Sequence, residues 1–186
     1  MNRGKNYTKL FGYMKRMDKV NYMACQLYLA ENKELLKHAR GSLANHQAWE
    51  GGYLDHILMT MEIAEDIYPA LSKKYNFEFG LDDVFVCLFL HDIEKPAKYE
   101  KKGDNLEMKI EMRDKEYVQK FRLGIIDDYR FKLTSDQYNA IDFAEGEIGK
   151  WDPKKRSMTP LAAFVHMCDV ASARIFYDYP KERGKW

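Results

Sequence analysis

Five histidines stand in this chain of 186 residues, at positions 38, 46, 56, 91 and 166. One of them is followed directly by aspartate at the end of an apolar run, VFVCLFL leading into His91 and Asp92. A carboxylate at the edge of a core is retained only with a partner, and a divalent cation beside an imidazole satisfies both side chains together. Taken alone, such a pair is equally well a helix end with its hydrogen bonds made. His56 lies in another amphipathic stretch, after Gly51 and Gly52, and Asp169 in a third among Ala, Val and Met neighbours. His56, His91, Asp92 and Asp169 would bring two imidazoles and two carboxylates from three helices, a mixed set suited to an ion of the Mn, Fe, Co, Ni or Mg class. Four protein ligands leave two octahedral positions for water and substrate, the pattern of a catalytic metal.

Other residues stand close enough in sequence to serve that chemistry. Lys95 follows Asp92 by three residues, one helical turn, so its ammonium could meet a phosphoryl oxygen and stabilise developing charge. Trp49, just ahead of the Gly51-Gly52 turn, either stacks on a base or packs its own loop. His166 is one turn before Asp169 on the same face, where it orients that carboxylate or is simply a hydrogen-bonded core histidine. Lys98, Lys101 and Lys102, and Lys150, Lys154, Lys155 and Arg156, form basic loops that would receive phosphates if they flank the cleft. Otherwise they are solvated surface.

These side chains must be positioned by helices, because the apolar spacing is helical nearly throughout. Val20, Met23, Ala24, Leu27 and Tyr28 mark one amphipathic helix. A second runs from about Gly52 to Tyr68, with Pro69 expected to end or kink it. Asp82 is the expected N-cap of a third, whose run Val84–Leu90 is apolar on every side and belongs at the centre of the core. Lys95–Lys115 is charged and turn-rich, an exposed flap with two short runs that could pair as a hairpin around Gly103, Asp104 and Asn105. Helical spacing returns over 116–129 and 135–145. Thr159 as N-cap and Pro160 at the first position open a last helix to about Tyr177, closed by Pro180. Met14, Met17, Met23, Met59, Met61 and Met167 read as core residues.

Composition narrows the function classes. Thirty Lys and Arg against 29 Asp and Glu give a net charge of +1, which removes any whole-molecule argument for a polyanion partner. Cys25, Cys87 and Cys168 are far apart with no CxxC, so buried free thiols are expected rather than disulfides or a thiolate zinc site. No apolar run approaches the ~18 residues of a membrane span, and a cytoplasmic, single-domain protein over 1–186 is the expectation.

At three places the wording resembles the HD superfamily of metal-dependent phosphohydrolases. HQAWEGGYLDHI is similar to the segment around that family's first metal histidine, which maps to His56 rather than His46. LFLHDIEKP is similar to the family's LLHDIGKP segment, and PLAAFVHMCDVASAR to the helix supplying the last aspartate. The resemblance spans His46 to about Arg174, with 1–45 as N-terminal helices packed on it. It implies an all-α, compact HD-type helical bundle with an exposed charged loop or small hairpin. It further implies a divalent ion on His56, His91, Asp92 and Asp169, catalysis by Asp92 and Lys95, and a substrate-side role for His46, with Trp49 and Lys98 also in the substrate pocket. Glu94 departs from the pattern, standing where the family usually has glycine. The family's extra His-His pair is absent between Asp92 and Asp169, so one ion is the default, with Glu94 and Glu145 as candidate ligands of a second. The implied substrate is a nucleotide or a related phosphate ester or anhydride. Because GGYLDH is especially similar to HD-type exoribonucleases, 3′–5′ cleavage of single-stranded nucleic acid is the alternative. A catalytically inactive nucleotide-binding protein and a two-iron oxygenase are more distant ones.

Overall fold

Helical periodicity along the chain becomes eight α-helices among the described residues of a computed structural model, which are 3–43, 45–103, 105–147 and 151–175. They are α1 (Arg3–Met14), α2 (Lys19–Glu31), α3 (Lys33–His38), α4 (Gly52–Tyr75), α5 (Leu81–Leu90), α6 (Lys115–Asp128), α7 (Ser135–Asp142) and α8 (Pro160–Val170). The architecture is a helical bundle with one two-stranded sheet, as the sequence led us to expect. Asp104, Lys150, Tyr177 and Pro180, which entered the sequence reading, lie outside the described residues.

Helix α5 is the axis of the bundle. Every residue from Val84 to Leu90 is at most 1% exposed, which an all-apolar run tolerates only when neighbours cover it on all sides; α1, α4, α7 and α8 supply that cover. Its start is not capped by Asp82 as the sequence suggested. Gly80 is the N-cap, and its backbone N–H donates to Asp83 Oδ2 at 2.9 Å, so the carboxylate three residues on closes the first turn.

Helix α4 carries on through Pro69 to Tyr75, so of the two expected effects of the proline, ending the helix is not the one seen. The missing N–H is on the exposed face, where water can satisfy the carbonyl that lost its partner. Beyond it an aromatic cluster anchors the last turns. The Tyr68 hydroxyl donates to the Phe79 carbonyl at 2.6 Å, the Phe77 and Phe79 rings stack at 4.6 Å, and Phe164 of α8 meets all three rings.

On α2 the buried stripe is Asn21, Ala24, Cys25, Tyr28 and Leu29, while Val20, Met23 and Leu27 are exposed, a correction to the expected face. Asn21 is drawn inward because its side chain bonds both the N–H and the carbonyl of Lys132, each at 2.8 Å. Met14, Met17 and Met61 are core residues, but Met23 and Met167 are exposed. The three cysteines are buried and free. Among the described residues no helix is long and apolar enough to cross a membrane.

The charged segment after Asp92 is more ordered than a bare loop. A 3-10 turn (Lys95–Ala97) leads into β1 (Tyr99–Lys102), which pairs antiparallel with β2 (Asn105–Met108) in a register that sets Tyr99 opposite Met108. A second 3-10 turn, Glu111–Arg113, buries Met112. Helix α8 has the expected Thr159 cap, whose side chain accepts from the Ala162 N–H, but it ends at Val170 and gives way to a π-turn over Ala171–Ile175.

Candidate metal centre

Three elements deliver the four sequence-predicted donors to one point. His56 comes from the second turn of α4, His91 and Asp92 from the turn directly after α5, and Asp169 from the last turn of α8. His56 Nε2 lies 3.1 Å from Asp169 Oδ1, 3.5 Å from Asp92 Oδ2 and 3.2 Å from His91 Nε2. His91 Nε2 lies 3.1 Å from Asp92 Oδ2 and 3.6 Å from Asp169 Oδ1. All four donors fall within 4.8 Å of one another. Donors on one cation with bonds of ~2.1 Å stand ~3.0 Å apart at right angles and ~3.4 Å apart at the tetrahedral angle. The observed spacings of 3.1 to 3.6 Å are therefore those of a coordination shell.

Two further observations test the fit. Asp92 Oδ2 is fully buried and faces both imidazole Nε2 atoms, at 3.5 Å from His56 and 3.1 Å from His91, with the Lys95 ammonium as its ion-pair partner. The imidazoles are also held with their Nε2 atoms inward. His91 Nδ1 donates to the Leu88 carbonyl at 2.8 Å, which fixes a proton on Nδ1, so that in the neutral ring it is Nε2 that presents a lone pair to the centre. His56 Nδ1 lies 3.0 Å from Ser172 Oγ, which also receives the Gln47 side-chain amide at 3.4 Å. A hydroxyl oxygen can accept from both, so the same inward-facing tautomer is available to His56.

Two lone pairs and two carboxylates at this range repel unless a positive charge sits among them. Burial pulls the His91 imidazole down, but the Asp92 and Asp169 carboxylates outweigh it and raise its pKa to about 10. For Asp92 and Asp169 burial opposes ionisation and is overcome. Lys95 and His91 hold Asp92 well below the usual carboxylate range, and hydrogen bonds from His56 and His91 hold Asp169 below it. The pocket thus demands cationic charge, supplied by protons or by a metal ion.

Lys95, on the 3-10 turn, makes a direct ion pair with Asp92. Burial works against its charge, yet the pull of Asp92 raises its pKa above the ordinary lysine value, so the ammonium persists at neutral pH. The pair spans one turn, i to i+3, so the lysine expected to face a phosphate is also the counter-charge of a buried carboxylate. With side chains 16% and 11% exposed, Asp169 and Lys95 are more open than His56, His91 or Asp92, so solvent reaches the cluster from their side.

His46 lies beside the group, its ring 5.2 Å from that of His56, and its buried Nε2 has no hydrogen-bond partner. Burial, then Lys95 and His56, push its pKa down to about 4, so it is neutral at physiological pH. A local backbone device holds it there. Gln47 adopts a positive φ of 41°, with its side chain fully buried. Gly51 has φ 78°, and a Cβ at Gly52 would sit 1.9 Å from the Gln47 carbonyl oxygen. Only glycine at 52 allows that approach.

The remaining candidates are placed elsewhere. The Trp49 indole N–H donates to Asp55 Oδ2 at 2.8 Å, and Asp55 Oδ1 accepts from Asn6 of α1, which ties the tryptophan into its own loop. His166 Nδ1 donates to the Ala144 carbonyl at 2.6 Å rather than to Asp169. Lys98 is half-buried at the end of the 3-10 turn, and its carbonyl accepts from the Lys109 N–H. Glu94 neither faces solvent nor joins the metal group. It is 1% exposed and forms a forked pair with Arg122 of α6, Nε to Oε2 at 2.8 Å and Nη2 to Oε1 at 3.0 Å, while Arg122 Nη1 donates to the Ile141 carbonyl. Glu145 is exposed, and no second group of potential metal ligands includes it among the described residues. Sequence reading missed Arg122, Ser172 and Gln47. An unpaired glutamate beside the His-Asp pair was the one signal that a buried arginine was required.

Over 140 residues, 75% of this chain, the sequence is 24% identical to the dihydroneopterin 2′,3′-cyclic phosphate phosphodiesterase of Methanocaldococcus jannaschii. The chain spans 53%, about half, of that relative's length. No protein-family profile and no solved structure matches the chain. The protein is a distant homologue of a phosphodiesterase, with a buried histidine–aspartate cluster that fits a metal site.

Proposed function

We propose that this protein is a metal-dependent phosphohydrolase of the HD type, acting on a small phosphate ester of the nucleotide-like class, a phosphodiester before a monoester. The observation that carries the reading is the convergence of His56, His91, Asp92 and Asp169 on one point, where the buried Asp92 carboxylate faces both imidazoles. The distant relationship to an enzyme that acts on a cyclic phosphodiester supports the choice of substrate.

In this reading the four donors hold one divalent cation of the Mn, Fe, Co, Ni or Mg class. When bound, the ion supplies Lewis-acid activation of a water and polarisation of a phosphoryl oxygen. The chain's own residues do the rest. Lys95, charged and on the open side of the cluster, contacts the phosphate and counters charge gained in the transition state. Neutral His46, with an unpartnered Nε2, donates to or accepts from the phosphate or leaving group. Asp92, held ionised, accepts the proton lost by the attacking water. The Leu88 carbonyl and Ser172 keep both imidazoles aimed inward. Lys98 stays at the edge of the substrate pocket, while Trp49 shapes the loop that carries His46. Glu94 supports the turn through Arg122 and binds no second ion.

The test is a screen of protein stripped of metal and reloaded with Mn²⁺, Fe²⁺, Co²⁺, Ni²⁺ or Mg²⁺ against adenosine 2′,3′-cyclic phosphate, mononucleotides and short oligonucleotides. Metal-dependent release of phosphomonoester, abolished by Asp92→Ala, is the expected result. Stepwise shortening of single-stranded RNA would transfer the assignment to an exonuclease. Silence across every metal and substrate would reduce the protein to nucleotide binding.

A further inference from the structure

An open groove of about 810 Å³ runs between the 39–50 loop and the β1–β2 hairpin. Its apolar wall is Leu35, Leu43, Pro96 and Leu106, its aromatic surface is Tyr99, and Arg40 and Lys101 supply two positive charges. None of the four metal-group residues lines it, yet it abuts their cluster. Pro96 directly follows Lys95, and the half-buried phenol of Tyr99 lies close enough to feel the charges of Lys95, Asp92 and Glu94. The groove therefore lies next to the turn that carries Lys95.

Its chemistry is selective. Arg40 is half-buried, and neither it nor Lys101 has an ion-pair partner among the described residues. The one acidic side chain on the wall, Glu50, is already in contact with His38. A flat ring fits between a tyrosine face and leucine side chains, and a guanidinium alongside can stack on it or donate to its heteroatoms. At about 810 Å³ the groove falls within the ~300–1,000 Å³ of a typical small-molecule pocket, so it has room for a ring system beside the scissile phosphate.

We propose that this groove binds the organic part of the substrate, a planar ring with a polar edge, with Tyr99 stacking on the ring and Arg40 contacting that edge. The inference rests on the phosphohydrolase reading for its orientation, since the phosphate end must point at His56, His91, Asp92 and Asp169. It assigns the ring to Tyr99 rather than Trp49, whose indole N–H is committed to Asp55.

The experiment measures binding to the Mn²⁺-loaded full chain by calorimetry, with adenosine 2′-monophosphate and inorganic phosphate as probes. Wild type is expected to prefer the nucleotide. Tyr99→Ala and Arg40→Ala should each lower the ratio of nucleotide to phosphate affinity about tenfold, the scale of a lost base stack, and Tyr99→Phe should keep it. An unchanged ratio in both alanine variants, or a Tyr99→Phe loss equal to that of Tyr99→Ala, overturns the proposal. Tyr99→Phe and Arg40→Ala keep the test decisive if Tyr99→Ala misfolds. Groove-dependent binding without turnover of any substrate would retain the groove and refute the hydrolase. Turnover with groove-independent binding would do the reverse.

Discussion

Metal affinity should depend steeply on pH, and the structure sets the slope. Without an ion, His91 holds a proton up to about pH 10, because Asp92 and Asp169 stand 3.1 and 3.6 Å from its Nε2. A cation must displace that proton, since only the neutral imidazole is a ligand. The two carboxylates stay ionised across neutral pH and contribute no slope. One proton lost per ion bound means that apparent affinity rises tenfold, or ~1.4 kcal/mol, for each pH unit. Titrating Mn²⁺ by calorimetry at pH 6.5, 7.5 and 8.5 should therefore show about a hundredfold tightening in all, ~2.7 kcal/mol. Repeating one pH in buffers of different ionisation enthalpy should give close to one proton released. Stability of the metal-free protein should run the other way. A histidine pKa raised on folding stabilises fully below its unfolded value of ~6.5, and that contribution is lost as pH rises towards 10. The melting temperature without metal should thus fall over the interval in which metal binding strengthens. A flat affinity profile with no proton released would refute the charge balance assigned to the cluster.

Three substitutions probe the supports. Lys95→Ala should lower kcat by about 10²-fold, ~2.7 kcal/mol of transition-state stabilisation; since Lys95 also compensates buried Asp92, the metal-free melting temperature should drop as well, and full turnover would refute the role. Arg122→Ala leaves Glu94 charged and buried, so urea unfolding should show a loss of about 3–5 kcal/mol, with the double variant Glu94→Gln/Arg122→Met much closer to wild type; an additive double variant would mean that the pair is not coupled. Ser172→Ala should weaken Mn²⁺ binding by about 10–100-fold, and ¹⁵N spectra of the histidine side chains should show His56 no longer held in a single tautomer; wild-type affinity would remove Ser172 from the site.

Much of this centre was legible in sequence because its ligands are paid for locally by pattern: the all-apolar run of α5 had to be buried, so whatever ended it, His91 and Asp92, had to be buried too. Thr159 and Pro160 fixed where α8 begins, and hence the face that Asp169 shares with the core. The Gly51-Gly52 pair announced a close backbone approach before its partner, Gln47, was known. Spacing along one helix could not say which face of α2 turns inward, because Asn21 is buried by a bond to Lys132, 111 residues away. Nor could it pair Glu94 with Arg122, 28 residues on, or bring Ser172 to His56 across 116. Those contacts depend on how α4, α5, α6 and α8 pack, and on a π-turn after Val170 that no propensity marks. Local pattern determined which polar residues would need partners, and tertiary packing alone decided which partners they have, because desolvation is a property of the residue and charge compensation is a property of its neighbours.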